Sequence, residues 1–258
     1  NTFLLEKSNE LGGLASLISK IPAKNRLADF PHYLMHRAEQ LDNLYIFKNT
    51  EGTPENIRKF HPNIIVSSTG SAPLLPPIAG LKDRIDNEKH NIYSILGMIS
   101  HINDFPKDLE GKKVVVVGGG AVGLDVVEFF ADRNADISIV EMMDQIGRDL
   151  DPVSKNDTKT MMKKHNVHQL TKTALLEVKD SSFLVRGDGE PYELPFEYGF
   201  VCLGMRAQGQ LYQNLTEEFS SEDVEIMNIG DSQRARRIID GTQEGRNILT
   251  ILEQKGYL

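Results

Sequence analysis

The run Val114-Val115-Val116-Val117-Gly118-Gly119-Gly120-Ala121-Val122-Gly123, continued by Leu124 to Asn134 and then by Ile137-Ser138-Ile139-Val140-Glu141, decides the fold. Four consecutive valines have the composition of a parallel strand buried on both faces. Gly118, Gly120 and Gly123 follow in the spacing G-x-G-x-x-G, with Ala121 and Val122 inside it. Val126, Val127, Phe129 and Phe130 recur as on a helix packed against a sheet. The second strand ends in an acid, Glu141, which stands 21 residues after Gly120. A lone glycine pattern also occurs in plain flexible loops, but here strand, turn, helix, strand and acid agree on a βαβ unit.

Each part of that unit has a physical task. Gly118 permits the tight turn, Gly120 lets a pyrophosphate approach the backbone, and Gly123 lets helix and strand pack closely. The pyrophosphate is expected at the helix N-terminus, where free N–H groups and the helix dipole favour negative charge. Glu141 is expected to accept a hydrogen bond from an adenosine ribose hydroxyl and to repel a 2′-phosphate. NAD is therefore favoured over NADP, and Arg148 further along the loop keeps NADP as the alternative.

Outward from this unit, 258 residues suffice for two α/β domains, and 40% hydrophobic content suits an ordinary core. No stretch approaches the roughly 18 consecutive apolar residues of a membrane span. Asp plus Glu number 37 against 29 Lys plus Arg, a formal charge of -8, which argues against a nucleic-acid partner. The single cysteine, Cys202, supplies neither an intrachain disulfide nor a Cys-x-x-Cys pair, so a reduced, cytoplasmic setting is expected. It lies in the apolar run Tyr198 to Leu203 and reads as a core residue.

The chain opens inside an element: Thr2 to Leu5 reads as a strand ending in Glu6, followed by a polar turn containing Lys7, Gly12 and Gly13, which suggests a fragment. Phe30 to Gln40 reads as a helix, where His32 and His36 look like an ordinary polar face rather than a metal pair. Asn63 to Ser68 is a strand entering Thr69-Gly70, and the proline-rich stretch from Pro73 to Pro77 marks a boundary. Asn91 to His101 is read as helical. Segments 166–170, 174–178, 182–186 and 192–194 look like a small meander, its acids Asp180, Asp188 and Glu190 being solvated turn residues. Another strand ends at Gly204. A last one, Val224 to Ile229, enters Gly230-Asp231, and a helix spans about Asp240 to Gln254. Asp231 thus stands at the C-terminal end of an expected parallel strand, where α/β sheets place their ligands; the competing role is a helix cap. Arg234, Arg236 and Arg237 read as a solvated or phosphate-facing loop.

Taken in order, Phe3-Leu4-Leu5-Glu6-Lys7, Gly12-Gly13, Ser68-Thr69-Gly70-Ser71-Ala72-Pro73, Val114 to Glu141, Leu203-Gly204-Met205-Arg206 and Ile229-Gly230-Asp231 resemble the flavoprotein reductases with two dinucleotide-binding domains. Glu141-Met142-Met143-Asp144 and Arg237-Ile238-Ile239-Asp240 with Glu244-Gly245 narrow the resemblance. They point to the C-terminal part of the old-yellow-enzyme-related NADH:flavin oxidoreductases, the group of 2,4-dienoyl-CoA reductase, 2-enoate reductase and trimethylamine dehydrogenase.

The resemblance implies an α/β, Rossmann-like architecture of three-layer parallel-sheet domains with a small antiparallel meander, truncated at its N-terminus. Residues 1–77 and 201–258 would form a partial FAD-binding domain, with an NAD(P)-binding domain, 78–200, inserted. Glu6 would bind the adenosine ribose of FAD, with Lys7, Gly13, Thr69 and Gly70 near the cofactor. Gly230 and Asp231 would lie at its ribityl or phosphate portion, while Gly204 joins Gly118, Gly120, Ala121, Val122, Gly123 and Glu141 in the nicotinamide-nucleotide set. The family's first strand and glycine fingerprint are absent ahead of Thr2, which counts against FAD retention by this polypeptide. Also absent are the flavin barrel and the cysteine-rich iron–sulfur segment, so an upstream domain or partner subunit is implied, and a homo-oligomer is compatible. The expected chemistry passes hydride from NADH to FAD, then electrons to a separate flavin or iron–sulfur centre that reduces an enoate-type substrate. No side chain here stands out as a general acid or base. The alternative is a non-catalytic nucleotide-binding and interaction module, or an inactive fragment of such an enzyme.

Overall fold

The computed structural model describes residues 1–257, which divide into two compact units. Unit 1 contains residues 1–19, 24–72 and those from Met205 on; unit 2 contains Lys20–Ala23 and Pro73–Gly204. Unit 1 begins with β1 (Thr2–Leu5), α1 (Gly13–Ile18), α2 (Asp29–Ala38), β2 (Leu44–Phe47), α3 (Pro54–Arg58), β3 (Ile64–Ser67) and β4 (Ser71–Pro73). The chain then builds α4 (Leu81–Arg84), β5 (Ile92–Tyr93), α5 (Ile95–Ser100), β6 (Lys113–Val117), α6 (Ala121–Ala131), β7 (Asp136–Val140), α7 (Pro152–Lys164) and β8 (His168–Leu170). The meander β9 (Ala174–Val178), β10 (Ser182–Arg186) and β11 (Tyr192–Pro195) follows, and β12 (Tyr198–Val201) closes unit 2. On its return to unit 1 the chain forms β13 (Met205–Ala207), α8 (Gln210–Glu218), β14 (Glu225–Asn228) and α9 (Ile238–Gln254).

Unit 2 is built on a five-stranded sheet in the order β5-β12-β6-β7-β8, with every pairing parallel. Val114, Val115, Val116 and Val117 are all buried, as a central strand covered on both faces requires. Leu124, Val126, Val127, Phe129 and Phe130 bury most of α6. The Phe130 ring lies 4.8 Å from Phe200 on β12 and 5.1 Å from Phe105. The three-layer, Rossmann-like expectation therefore holds, and the antiparallel sheet β11-β10-β9 is the expected meander.

One strand belongs elsewhere than its sequence suggested. Residues 166–170 read as part of the meander, yet β8 is the outer strand of the parallel sheet, with Ser138 opposite His168. The cause is α7, which carries the chain from β7 back across the sheet as a parallel crossover. Only Met162 of its 13 residues is buried, so it offers no apolar stripe to read. Its start is nonetheless marked: Asp151 accepts from the N–H groups of Val153 and Ser154 at 3.0 and 3.1 Å, and Pro152 occupies the first turn. The 91–101 segment also splits, with a short strand, β5, ahead of the helix α5.

Unit 1 contains three two-stranded sheets: the parallel pairs β1-β2 and β14-β3, and β13-β4. Ile65 on β3 packs with Leu215 and Phe219 of the α8 region, with Ile57 and Ile226 around them. Phe3 and Phe47 both pack against Phe60 with tilted rings, centroids 4.7 and 5.3 Å away. Among the described residues no helix is long and apolar enough to cross a membrane.

Candidate functional site

In unit 2 the local geometry follows from crowding. Gly118 has φ +108°, a left-handed conformation that glycine tolerates, and a Cβ there would fall on the Cys202 carbonyl at the end of the neighbouring β12. A Cβ on Gly123 would strike the Gly118 carbonyl oxygen and would lie 3.5 Å from Val116 Cγ1. These two glycines are required by the protein itself. Gly120 is different: its φ of -78° suits any residue, and a Cβ there would meet nothing within 4 Å. The space in front of it is open, at the start of a helix that has no side-chain cap. The N–H groups of Ala121, Val122 and Gly123 are first-turn donors, which a helix cannot satisfy internally. Glycine at an uncrowded position with ordinary φ, beside uncapped donors, fits a pyrophosphate cradle.

Glu141 leaves the end of β7 and turns back to this loop. Its Oε2 accepts from Gly119 N–H and its Oε1 from Met143 N–H, both at 2.7 Å. Gly147 N–H donates to the Gly119 carbonyl at 2.7 Å, so the segment after β7 is fastened to the glycine turn at two points. A carboxylate has about four acceptor sites, so these bonds leave capacity for a ribose hydroxyl. The 21-residue spacing predicts a ribose partner at Glu141 and gives no sign of the brace. Gly204, φ +99°, follows β12 at the same end of the sheet, and its carbonyl accepts from Leu74 N–H at 2.9 Å. Cys202 is buried and burial pushes its thiol up to about 12, which agrees with a core role.

The other sequence-selected residues form two groups in unit 1. At the exit of β1, Glu6 accepts from Ser8 N–H at 2.8 Å, Lys7 is exposed, and Gly13 starts α1 with φ +50°. Beyond β3, Thr69 Oγ1 donates to the Gln208 carbonyl at 2.5 Å and the Gly70 carbonyl accepts from Gln208 N–H at 2.9 Å. Asp231 is tied to this second group: Ser71 Oγ donates to its Oδ2 at 3.0 Å, and Arg236 N–H donates to its Oδ1 at 2.9 Å. Gly230 N–H donates to Glu244 Oε2 at 2.6 Å, and Arg236 pairs with the other oxygen of Glu244. These bonds hold the Glu244 carboxyl below the usual carboxylate range, the Gly230 amide contributing most and Arg236 next. Ser67, at the end of β3, keeps a buried hydroxyl without a hydrogen-bond partner. Against a flavin dinucleotide the fit is partial. Acids and glycines stand at strand ends, but unit 1 lacks a second glycine fingerprint to cradle a pyrophosphate among the described residues. His32 and His36 gather no third ligand: no group of three His, Cys, Asp or Glu among the described residues could hold a metal ion.

Comparison with known proteins agrees with this geometry. The profile of the pyridine nucleotide-disulphide oxidoreductase family matches residues 35–227. A metal reductase of Desulforamulus reducens is 26% identical over 94% of this chain, and a bilirubin reductase of Mediterraneibacter gnavus is likewise 26% identical over 94%. The chain spans only 39% and 35% of the lengths of those two relatives. In structure, a 2-naphthoyl-CoA reductase superposes with a TM-score of 0.79 at 22% identity, covering 95% of this chain and 35% of that one. The HOCl-induced flavoprotein disulfide reductase of Escherichia coli does so with a TM-score of 0.66 at 15% identity, covering 95% of this chain and 64% of that one.

The breadth of these matches corrects the narrower resemblance to the old-yellow-enzyme-related group. The same architecture is shared with flavoprotein disulfide reductases, and the matching profile is that of the wider family. The physical reason lies in the phrases that suggested the subgroup. Glu141 with Met143, Arg237 with Asp240 at the start of α9, and Glu244 with Gly230 are local braces of turns and helix ends. With the profile spanning most of its length, the chain belongs to the pyridine nucleotide-disulphide oxidoreductase family, whose chemistry is NAD(P)- and FAD-linked oxidation and reduction.

Proposed function

We propose that this chain is the nucleotide-handling portion of an NADH-dependent flavin oxidoreductase. The observation that carries the reading is the open space at Gly120 beside the uncapped start of α6, where the fold asks for no glycine. In this reading Gly118 and Gly123 shape the turn, and Gly120 with the Ala121 and Val122 amides receives the pyrophosphate. Glu141 accepts from the adenosine ribose, and Gly204 leaves room at the end of β12. Residues 78–200 act as the NAD-binding domain, and residues 1–77 and 201–258 as part of an FAD-binding domain. There, Glu6 serves the ribose of the flavin nucleotide, Lys7, Gly13, Thr69 and Gly70 flank it, and Gly230 with Asp231 faces its ribityl or phosphate portion. The missing pyrophosphate cradle is supplied from outside these residues.

A nicotinamide supplies hydride, and a flavin accepts it and releases electrons onward. The residues of this chain bind and orient; none is assigned to proton transfer. Onward electrons go to a separate flavin or iron–sulfur centre in an upstream domain or partner subunit, which reduces a conjugated, enoate-type acceptor. The short span of this chain against its relatives supports an additional part, and the bilirubin reductase among them supports a conjugated acceptor.

The test is a titration of the full chain with NADH and with FAD, followed by anaerobic addition of NADH to any flavin-loaded sample. Saturable NADH binding and bleaching of the flavin absorbance support the oxidoreductase portion. NADH binding without flavin reduction supports the binding module instead, and a well-folded chain that binds neither overturns the proposal. Gly120→Ala should weaken NADH by at least about tenfold, one hydrogen-bonded contact's worth of affinity, with an unchanged melting midpoint.

A further inference from the structure

We infer that Glu244, which no motif singles out as a ligand residue, is the positioning residue of the Gly230-Asp231 turn. The inference rests on the reading of that turn as a flavin-nucleotide contact, and its geometry stands independently. Gly230 leaves β14 with φ +65°, and the first turn of α9 packs directly on it: a Cβ on Gly241 would lie 3.5 Å from the Gly230 Cα. Glu244 is three residues further along α9, on the face of Gly241. From there Oε2 accepts the Gly230 N–H at 2.6 Å. The other oxygen pairs with the Arg236 guanidinium, and Arg236 N–H donates in turn to Asp231 Oδ1 at 2.9 Å.

The bonds close a ring through Gly230, Asp231, Arg236 and Glu244. With Ser71 Oγ on the remaining Asp231 oxygen, both oxygens of that acid are held in place. Asp231 sits in a single 3-10 turn, Gly230–Ser232, after a four-residue strand; Ser232 bonds back to Asn228 and Ile229, but those bonds do not reach the Asp231 carboxylate. The clamp from α9 orients that carboxylate. With 26% of the Glu244 side chain and 28% of the Arg236 side chain exposed, the pair lies at the surface and is only partly covered. Arg236 and Asp240 are the charged groups that act on Glu244, and the attraction of Arg236 opposes the repulsion of Asp240.

Two measurements on the full chain separate the clamp from the ligand reading. The first is hydrogen exchange and chemical shift of the Gly230 amide by 15N NMR, without ligand. Glu244→Gln keeps an acceptor for the Gly230 N–H and should leave its exchange within about threefold of wild type, whereas Glu244→Ala should speed it by at least about tenfold. The second is FAD affinity by fluorescence, where Glu244→Ala should weaken binding by at least about tenfold and Glu244→Gln should restore most of it. If wild type fails to bind FAD, the ligand reading falls and the amide measurement alone judges the clamp. If Glu244→Ala fails to fold, Arg236→Gln takes its place and should speed Gly230 exchange by about threefold. Unchanged Gly230 exchange in a folded Glu244→Ala or Arg236→Gln chain overturns the inference. So does undiminished FAD affinity in Glu244→Ala when wild type binds.

Discussion

Replacing Glu141 by alanine removes three acceptor roles at once, and their effects on two nucleotides differ. The ribose hydrogen bond proposed for this acid is made to a charged acceptor, worth about 1.5–3 kcal/mol. At about 1.4 kcal/mol per tenfold, its loss should weaken NADH by roughly 10- to 150-fold. The bonds from Gly119 N–H and Met143 N–H, both 2.7 Å, are lost as well. Their loss loosens the glycine turn for any dinucleotide, so it weakens NADH and NADPH together. NADPH has no 2′-hydroxyl bond to lose and escapes repulsion of its phosphate by the acid. The preference for NADH should therefore collapse even as both affinities fall.

Glu141→Gln sharpens the test, because the two braces use different oxygens. An amide presents one oxygen and one NH2, so one of the two backbone N–H groups would face another donor. An unsatisfied N–H costs about 1–3 kcal/mol, and the lower end applies at this partly exposed site. The glutamine variant should accordingly lose thermal stability along with NADH affinity, despite its near-identical shape. Calorimetric titration with both nucleotides and circular-dichroism melting supply the measurements. Equal weakening of NADH and NADPH by Glu141→Ala would refute the ribose role. Wild-type melting and NADH affinity in Glu141→Gln would refute the brace.

Gly123→Ala should destabilise the chain by about 1–3 kcal/mol through crowding against the Gly118 carbonyl, read as a lower denaturation midpoint; an unchanged midpoint would mean the turn has room to spare. Cys202, buried and with its thiol pushed up to about 12, should resist a thiol reagent at pH 8 in the folded chain and react fully in guanidinium. Stoichiometric labelling of the native protein at the rate of a free thiol would contradict this. Asp151 is held below its ordinary value of 3.8, chiefly by the Ser154 hydroxyl and then the Ser154 amide, so its stabilising effect is full above that value and fades as pH falls through the lower folded one. The melting difference between wild type and Asp151→Ala should be present at pH 7 and shrink towards pH 2, and a difference independent of pH would assign it to packing.

How much of this was legible in sequence depended on how local each determinant is. The β6–α6–β7 unit could be read because its valine run, glycine spacing and helical apolar positions all lie within a few residues of what they specify. Cys202 could be placed in the core from its apolar neighbours alone. The helix α7 escaped because amphipathic periodicity needs several buried residues, and it buries one; Asp151-Pro152 was the signal that remained. Missing α7 then misassigned β8. A three-residue strand carries no period of its own, and its partner is settled by the helix that delivers it. The subgroup phrases misled for a related reason, since residues that brace a turn recur wherever that turn is needed.

The two braces show where reading from sequence stops. Glu141 reaches Gly119 across 22 residues, and Glu244 reaches Gly230 across 14. In each case an acid from a later element accepts the N–H of a glycine in a turn at the end of a parallel strand. No periodicity connects such pairs, because the meeting is created by the packing of strand or helix on the turn. Yet the physical demand is the same in both. A turn that offers backbone groups to a ligand cannot spend them all on its own secondary structure, so side-chain bonds supply part of its rigidity. A carboxylate from the neighbouring element restores that rigidity by engaging one N–H beside the ligand-facing positions. Ligand turns of this architecture should then be stabilised by acids from neighbouring elements, whether the acid also meets the ligand, as proposed for Glu141, or does not, as for Glu244. Deleting Glu244 should disorder the Gly230 turn before any nucleotide is added, as deleting Glu141 should loosen Gly119.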